Sequence, residues 1–209
     1  KTHKPQVDGK YNQRLIVNNA GSATHNSEKF LFNELKILEK YIPTLLKSPS
    51  ELLGRFLNFT APKNYELIST DISDMYNSID PLSAIDCVIK FAKEKKETFK
   101  IPLDKIENLL KNSMIKCTSF KVGNKFYKQN GGLKTGSPLS GLLADIYIFV
   151  NYEEKYILEN NKIVNYCRYR DDTIMTCDSN HIEQFLETLN KVDKNIKFTI
   201  EKYSNGSST

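Results

Sequence analysis

The sequence predicts an α+β domain, with an antiparallel sheet and helices on one face of it. Three observations carry that prediction. From residue 66 onward, with the stretch 102–128 set aside, the candidate elements run strand, helix, helix, strand, strand, helix, strand, and such mixed content packs as a layer of helices on a sheet. Two β-type runs, Ile163-Val164-Asn165-Tyr166-Cys167 and Thr173-Ile174-Met175-Thr176-Cys177, flank Tyr169-Arg170-Asp171-Asp172, which is the patterning of a hairpin with its two acids at the tip. The last run alternates Ile196, Phe198 and Ile200 with Lys197, Thr199 and Glu201, the period of a half-buried strand.

The elements follow in chain order. Residues 1–26 are polar and loop-like, with one short apolar strand candidate at Arg14-Leu15-Ile16-Val17. A helix is predicted from Ser27, because Leu31, Leu35, Leu38 and Ile42 fall on one stripe. Ser48-Pro49-Ser50-Glu51 has capping-box spacing with Pro at the first helical position and opens a second helix. Glu66 to Ile72 reads as a strand ending near Asp71. Asp80-Pro81 opens a helix with Leu82, Ile85, Val88, Ile89 and Ala92 inward. Pro102 opens another, with Leu103, Ile106, Leu109, Leu110 and Met114 inward. Phe120, Val122 and Phe126 around Gly123-Asn124 predict a β-hairpin, where Gly at the first central position suits a type II′ turn. Ser137-Pro138 starts a strongly apolar helix carrying Leu139, Leu142, Leu143, Ile146 and Phe149. After the Asp-Asp hairpin, a helix carries Ile182, Phe185, Leu186 and Leu189.

The chain of 209 residues is long enough to bury a substantial core. Its 39% hydrophobic and 26% charged residues are ordinary for a soluble globular protein, and no apolar run reaches the length of a membrane span. A membrane partner is therefore not expected. Thirty Lys plus Arg against 25 Asp plus Glu give a net charge of +5. That balance permits a nucleic-acid partner without demanding one. Lys1, Lys4, Lys10 and Arg14 make the N-terminal end locally basic. The cysteines, Cys87, Cys117, Cys167 and Cys177, form no C-x-x-C pair and lie in apolar-periodic segments, so reduced thiols in an intracellular protein are expected. His3, His25 and His181 have no metal-ligand spacing. The chain begins at Lys1 without Met, as a processed or excised piece would.

The chemistry concentrates at Tyr169-Arg170-Asp171-Asp172. Adjacent side chains of a regular strand face opposite ways, so only a turn lets both acids approach one point. Two carboxylates so placed repel unless a proton or cation intervenes. In isolation the pair reads more readily as a solvated acidic turn, the fate of most such pairs, than as a site. A sheet that sets its central strands side by side also brings Asp71 to the hairpin tip. Three carboxylates on one sheet edge suit two divalent ions about 3.5–4 Å apart, which can activate an attacking hydroxyl and stabilise a leaving oxygen. Hard oxygen donors favour Mg²⁺, with Mn²⁺ as a substitute.

At these residues the chain resembles the reverse transcriptases. Asp71-Ile72-Ser73-Asp74-Met75-Tyr76 is similar to their first catalytic motif, Gly132-Leu133-Lys134-Thr135-Gly136-Ser137-Pro138-Leu139-Ser140 to their Gly-Ser-Pro motif, and Tyr169-Arg170-Asp171-Asp172 to their Y-x-D-D motif. The three stand in the family's order. Further marks resemble the Penelope-like retroelement branch: Lys1-Thr2-His3-Lys4-Pro5, Gly21-Ser22-Ala23-Thr24, Gly136-Ser137-Pro138-Leu139-Ser140 and Asn195-Ile196-Lys197-Phe198-Thr199-Ile200-Glu201.

The resemblance implies a right-hand polymerase palm, ferredoxin-like in its sheet, with fingers elements. Residues 1–64 would be a fingers-like segment, 65–101 the first part of the palm, 102–130 a helix and hairpin insertion, and 131–209 the second part of the palm. A thumb, and possibly an endonuclease, would belong to the parent polypeptide. It implies an RNA-directed DNA polymerase with RNA template, DNA primer and dNTPs as partners, acting in the nucleus of a eukaryotic host. Asp71 and Asp171 match the principal metal ligands, Asp172 the accessory acid, and the Ile72 carbonyl a further ligand. Tyr76 matches the aromatic gate that excludes a 2′-hydroxyl. Gly136 and Ser137 match the backbone lying against the nascent pair. Arg14 matches the arginine that grips the triphosphate, and Lys1 or Lys4 the fingers lysine. Gln129 would face template or nucleotide. Lys194, Lys197 and Lys202 are candidates for the acid that protonates pyrophosphate. Four residues depart from the pattern: Arg170 in the x of Y-x-D-D, Lys134-Thr135 where Ala-Met is usual, and Leu15 where Pro is usual. They leave open a second reading, a catalytically decayed, nucleic-acid-binding remnant with the same fold.

Overall fold

In the computed structural model, residues 17–201 are described. Lys1, Lys4, Arg14 and Lys202, with most of the strand expected at 14–17, lie outside them. The main sheet has four strands: β1 (Tyr65–Ser73), β4 (Ile163–Tyr169), β5 (Asp172–Asp178) and β6 (Lys197–Glu201). Their spatial order is β4-β5-β1-β6, and every neighbouring pair is antiparallel. Counted along the chain the order is second, third, first, fourth, which is the split β-α-β arrangement of ferredoxin-like folds. The palm-like α+β fold is thus as the sequence predicts.

Alternation along β1 decides which face is covered. Ile68, Thr70 and Ile72 are buried, whereas Leu67 is exposed and Ser69 and Asp71 are half-exposed. Packed against the buried side are α4 (Pro81–Lys95), α6 (Pro138–Ile148) and α7 (Ile182–Val192). Asp80 caps α4 by accepting the Ser83 amide at 2.8 Å, with Pro81 at the first position. Of the stripe expected inward on this helix, Ile85, Val88, Ile89 and Ala92 are buried, but Leu82, in the first turn, is 48% exposed. The other helices are α1 (His25–Leu35), continued by a 3₁₀ stretch Lys36–Tyr41, then α2 (Pro49–Phe56), the single turn α3 (Met75–Ser78) and α5 (Leu103–Lys111).

Several local details differ from the patterning. At α2 no capping box forms: Glu51 reaches one residue further back and accepts the Lys47 amide at 2.9 Å. The helix from Pro138 does not stop at Phe149 but widens into a π-helical segment, Phe149–Ile157, and a second such segment, Asn112–Lys116, follows α5. β4 carries a register shift between Val164 and Cys167, with Asn165 at φ 54°. Cys167 pairs with Ile174 and Cys177 with Ile163, so the two thiols are not opposite one another, and both are free. The hairpin β2 (Ser119–Val122) and β3 (Lys125–Lys128) forms a separate two-stranded sheet with Gly123 at φ 59°.

Candidate active site

The three motifs meet where β1 ends. Asp71 and Asp172 are direct partners across the β1–β5 ladder, and the Ile72 amide donates to the Asp171 carbonyl at 3.0 Å. Their neighbours Thr70 and Thr173 pair hydroxyl to hydroxyl on the buried face. By strand alternation Asp71 and Asp172 therefore project together from the uncovered face. Asp171 sits in the two-residue loop beside them. The Ile72 side chain is fully buried, which anchors the rung from below.

Beyond β1, Asp74 takes a left-handed conformation with φ 52°, and its carbonyl accepts the Asn77 amide at 2.9 Å. This turns the chain into α3 and sets Tyr76, half-buried, within electrostatic reach of Asp171. The loop before the Gly-Ser-Pro motif is fixed to the same turn. The Leu133 amide donates to the Tyr76 carbonyl at 2.7 Å, and Gly132, at φ 70°, leaves no room for a Cβ, which would stand 2.6 Å from Asn77 Cα. Gly136 is also required by close approach, but to this chain's own N-terminal segment. A Cβ there would meet the Val17 carbonyl oxygen at 1.8 Å. The Ser137 hydroxyl donates to Glu28 at 2.7 Å and accepts the Leu139 amide as the cap of α6.

Lys134 is not a loose departure from the motif. It is buried, and its ammonium donates to Glu28 at 2.8 Å and to the Thr24 hydroxyl at 2.9 Å. Burial pushes the Glu28 carboxyl up, but Lys134, Thr24 and Ser137 outweigh it, so its pKa lies below the usual range. This cluster ties α1 to the Gly-Ser-Pro loop. Gln129, expected to face template or nucleotide, instead holds that loop. Its amide nitrogen donates to the Gly131 and Leu133 carbonyls at 2.8 and 3.0 Å, and its oxygen accepts from Thr135.

Arg170 occupies the first of the two loop residues between Tyr169 and Asp172, at φ 62°. A positive φ at that position is the II′ pattern, which favours Gly. Its guanidinium turns back toward α3 and α6. Nη1 would stand 2.9 Å from a Cβ at Gly141, and the Tyr76 hydroxyl is the largest influence raising its pKa. Burial raises the Tyr76 phenol's pKa, and Arg170 opposes that rise. Beneath the loop lies Arg168, fully buried and not anticipated as a site residue. It bonds Glu153 through Nε, the Asp145 carboxylate and carbonyl through its terminal nitrogens, and the Arg170 carbonyl at 3.2 Å. Burial opposes its charge, but Glu153 and Asp145 together hold its pKa above the ordinary value. A charged residue inside a β-type run was the one signal of it in the sequence.

Among the described residues, no group of three or more His, Cys, Asp or Glu side chains is placed to hold a metal ion by itself. The rung offers adjacent hard carboxylates on an open face. That suits Mg²⁺, which commonly takes one or two carboxylates and completes its shell with water and substrate phosphate.

The family model described as reverse transcriptase (RNA-dependent DNA polymerase) matches residues 4–203. The chain belongs to the reverse transcriptase family. Its fold is similar to apo telomerase from Candida tropicalis, at TM-score 0.65 and 16% identity over 88% of this chain and 38% of that one. A C. tropicalis telomerase truncated from its C-terminal domain gives 0.62 and 20% over 91% and 43%. Candida albicans telomerase in complex with a TWJ fragment of telomeric RNA gives 0.60 and 12% over 88% and 36%. This reverse transcriptase domain thus spans less than half of each of those chains. Comparison with curated proteins gives no match.

Proposed function

We propose that the chain is the fingers and palm of an RNA-directed DNA polymerase from a Penelope-like retroelement, extending a DNA primer on an RNA template with dNTPs in the nucleus of its host. The observation that carries this reading is the rung itself, with Asp71 opposite Asp172 and Ile72 bonded to Asp171. The turn bearing Tyr76 and the loop bearing Gly136 and Ser137 are bonded to one another beside it.

In this reading Asp71 and Asp171, with the Ile72 carbonyl, would hold two Mg²⁺ ions, and Asp172 would add negative charge beside them. The ions, when bound, lower the pKa of the primer hydroxyl and neutralise the triphosphate. The chain's own residues position the reactants. Tyr76 supports the sugar and excludes a 2′-hydroxyl. Gly136 and Ser137, fixed by Val17 and Glu28, present a rigid loop to the nascent pair. Arg14 and Lys4 meet the triphosphate, and Lys194, Lys197 or Lys202 supplies a proton to pyrophosphate.

A second reading, a non-catalytic nucleic-acid-binding remnant, is favoured by Arg170, whose side chain lies against the gate. Mn²⁺ binding, followed by electron paramagnetic resonance with dNTP present, separates the two. The polymerase reading predicts Mn²⁺ binding that Asp71→Asn or Asp171→Asn weakens at least about tenfold. A folded chain that binds no Mn²⁺ supports the remnant. Tyr76→Ala is expected to admit ribonucleotides, and unchanged exclusion would count against the gate.

A further inference from the structure

Beneath the acids lies a second rung, made of buried polar side chains. Thr70 and Thr173 are partners across β1 and β5, and Thr173 and Arg168 across β5 and β4. Thr70 precedes Asp71 and Thr173 follows Asp172, so this rung points into the covered face where the next one points out. All three of its residues are buried. The side chains flanking it on that face, Ile68 and Met175 on one side and Ile72 and Phe198 on the other, are apolar. Polar groups thus enter this part of the core directly under the acids.

Glu153 gathers these groups. It is fully buried. Its Oε1 accepts from Arg168 Nε and, at 3.1 Å, from the Tyr166 hydroxyl, and its Oε2 accepts the Thr44 hydroxyl. Arg168 carries the connection on to the Asp145 carboxylate and to the Arg170 carbonyl, one residue before Asp171. Thr70 and Thr173 share a hydroxyl bond. Burial and then Glu153 push the Tyr166 phenol's pKa up, while the Thr173 hydroxyl bonds the phenol and opposes the rise. Each of the three acids therefore has, one residue away, a group tied to the same buried network.

The π-helical widening explains how Glu153 reaches this place. It follows Asp145 by eight residues, which in a straight α-helix would set it about 80° round the axis. From Phe149 onward the turns are wider, which brings Glu153 back toward the side of Asp145, where both meet Arg168. Such segments are frequent at functional sites. Stability alone does not call for this network, because well-packed apolar residues in place of a buried ion pair are often as stable or more so. A fully satisfied polar network does something apolar packing does less well, which is to fix one arrangement of the elements it joins.

We propose that Glu153 is a positioning residue for the acids, holding the Tyr169–Asp172 turn and the end of β1 from below through Arg168 and Tyr166. It acts on the register of Asp71, Asp171 and Asp172 and not on the reactants. The inference rests on the reading of that rung as a metal-binding polymerase site, and adds to it a residue that lies in none of the three motifs.

Amide hydrogen exchange and Mn²⁺ binding on the full chain test this, in Glu153→Gln and in the isosteric Tyr166→Phe. Urea unfolding verifies that each variant is folded. Tyr166→Phe removes one hydroxyl only, so it decides the matter where Glu153→Gln does not fold. The Ile72 amide, which bonds the Asp171 carbonyl, is expected to exchange about tenfold faster in Glu153→Gln, with exchange in α4 unchanged. Mn²⁺ affinity with dNTP present should fall by about tenfold in Glu153→Gln and by less in Tyr166→Phe. On a primed RNA template kcat should fall while the KM for the template stays at its parent value. The double variant should be no weaker than Glu153→Gln, because both changes cut the same connection. Parent values of Ile72 exchange and Mn²⁺ affinity in the folded variants would overturn the proposal. So would a lowered urea midpoint with faster exchange everywhere and Mn²⁺ affinity intact, which would make the network a stability element alone. A parent that binds no Mn²⁺ and incorporates no nucleotide would remove the polymerase reading, yet faster Ile72 exchange in both variants would still assign Glu153 to the turn. Unchanged exchange and affinity beside incorporation by the parent would do the reverse.

Discussion

Arg170 shows how much one residue can alter a turn. Residues other than Gly at positive φ cost about 1–3 kcal/mol, and Arg170 sits at φ 62° in a turn of II′ pattern. Arg170→Gly should therefore leave the domain more stable than Arg170→Ala by about 1 kcal/mol, read from urea unfolding. Equal stabilities would contradict the turn geometry. The residue identity was legible in the sequence as a departure from the Y-x-D-D pattern. Its direction was not, because a primer-facing or inward guanidinium fits the same four letters. What turns it inward is the space at Gly141 and the Tyr76 hydroxyl, both distant in sequence. Gly136 makes the same point, since its Cβ-free space is taken by Val17 of this chain.

At the scale of elements, strands and helices were legible because their apolar periods matched one buried face. Leu139, Leu142, Leu143, Ile146 and Phe149 are all buried as their spacing requires. The widening into π-helix after Phe149 left no periodic trace. The links between elements were equally hidden, because pairing is long-range. Lys134 read as a deviation until Glu28, on α1, supplied its partner. That cluster has a pH signature. The Glu28 carboxyl lies below its usual 4.5, so its stabilisation is complete above that value. It is lost as pH falls through the lower folded value. Melting temperature against pH should fall more steeply below about pH 5 in the parent than in Glu28→Gln. Parallel curves for the two would remove the clamp from the account. Arg168 acts similarly for the hairpin, joining β4 to Asp145 on α6 and Glu153 on the π-helical segment. Loss of one partner from such a buried network typically costs about 3–5 kcal/mol.

For the whole molecule, the ferredoxin-like strand order places residues 71 and 172 on one rung although about a hundred positions separate them. The sequence pattern led to the same expectation, because an antiparallel sheet with its central strands side by side brings Asp71 to the hairpin tip. Family membership agrees with it across residues 4–203. Polymerisation at the rung is directly measurable. The direct test is deoxynucleotide incorporation on a primed RNA template with Mg²⁺, comparing the parent with Asp171→Asn. The account predicts template-dependent extension by the parent and a loss of roughly 10³-fold in the variant, the scale of several kcal/mol of lost charge stabilisation. Equal incorporation by the two proteins would contradict the assigned site.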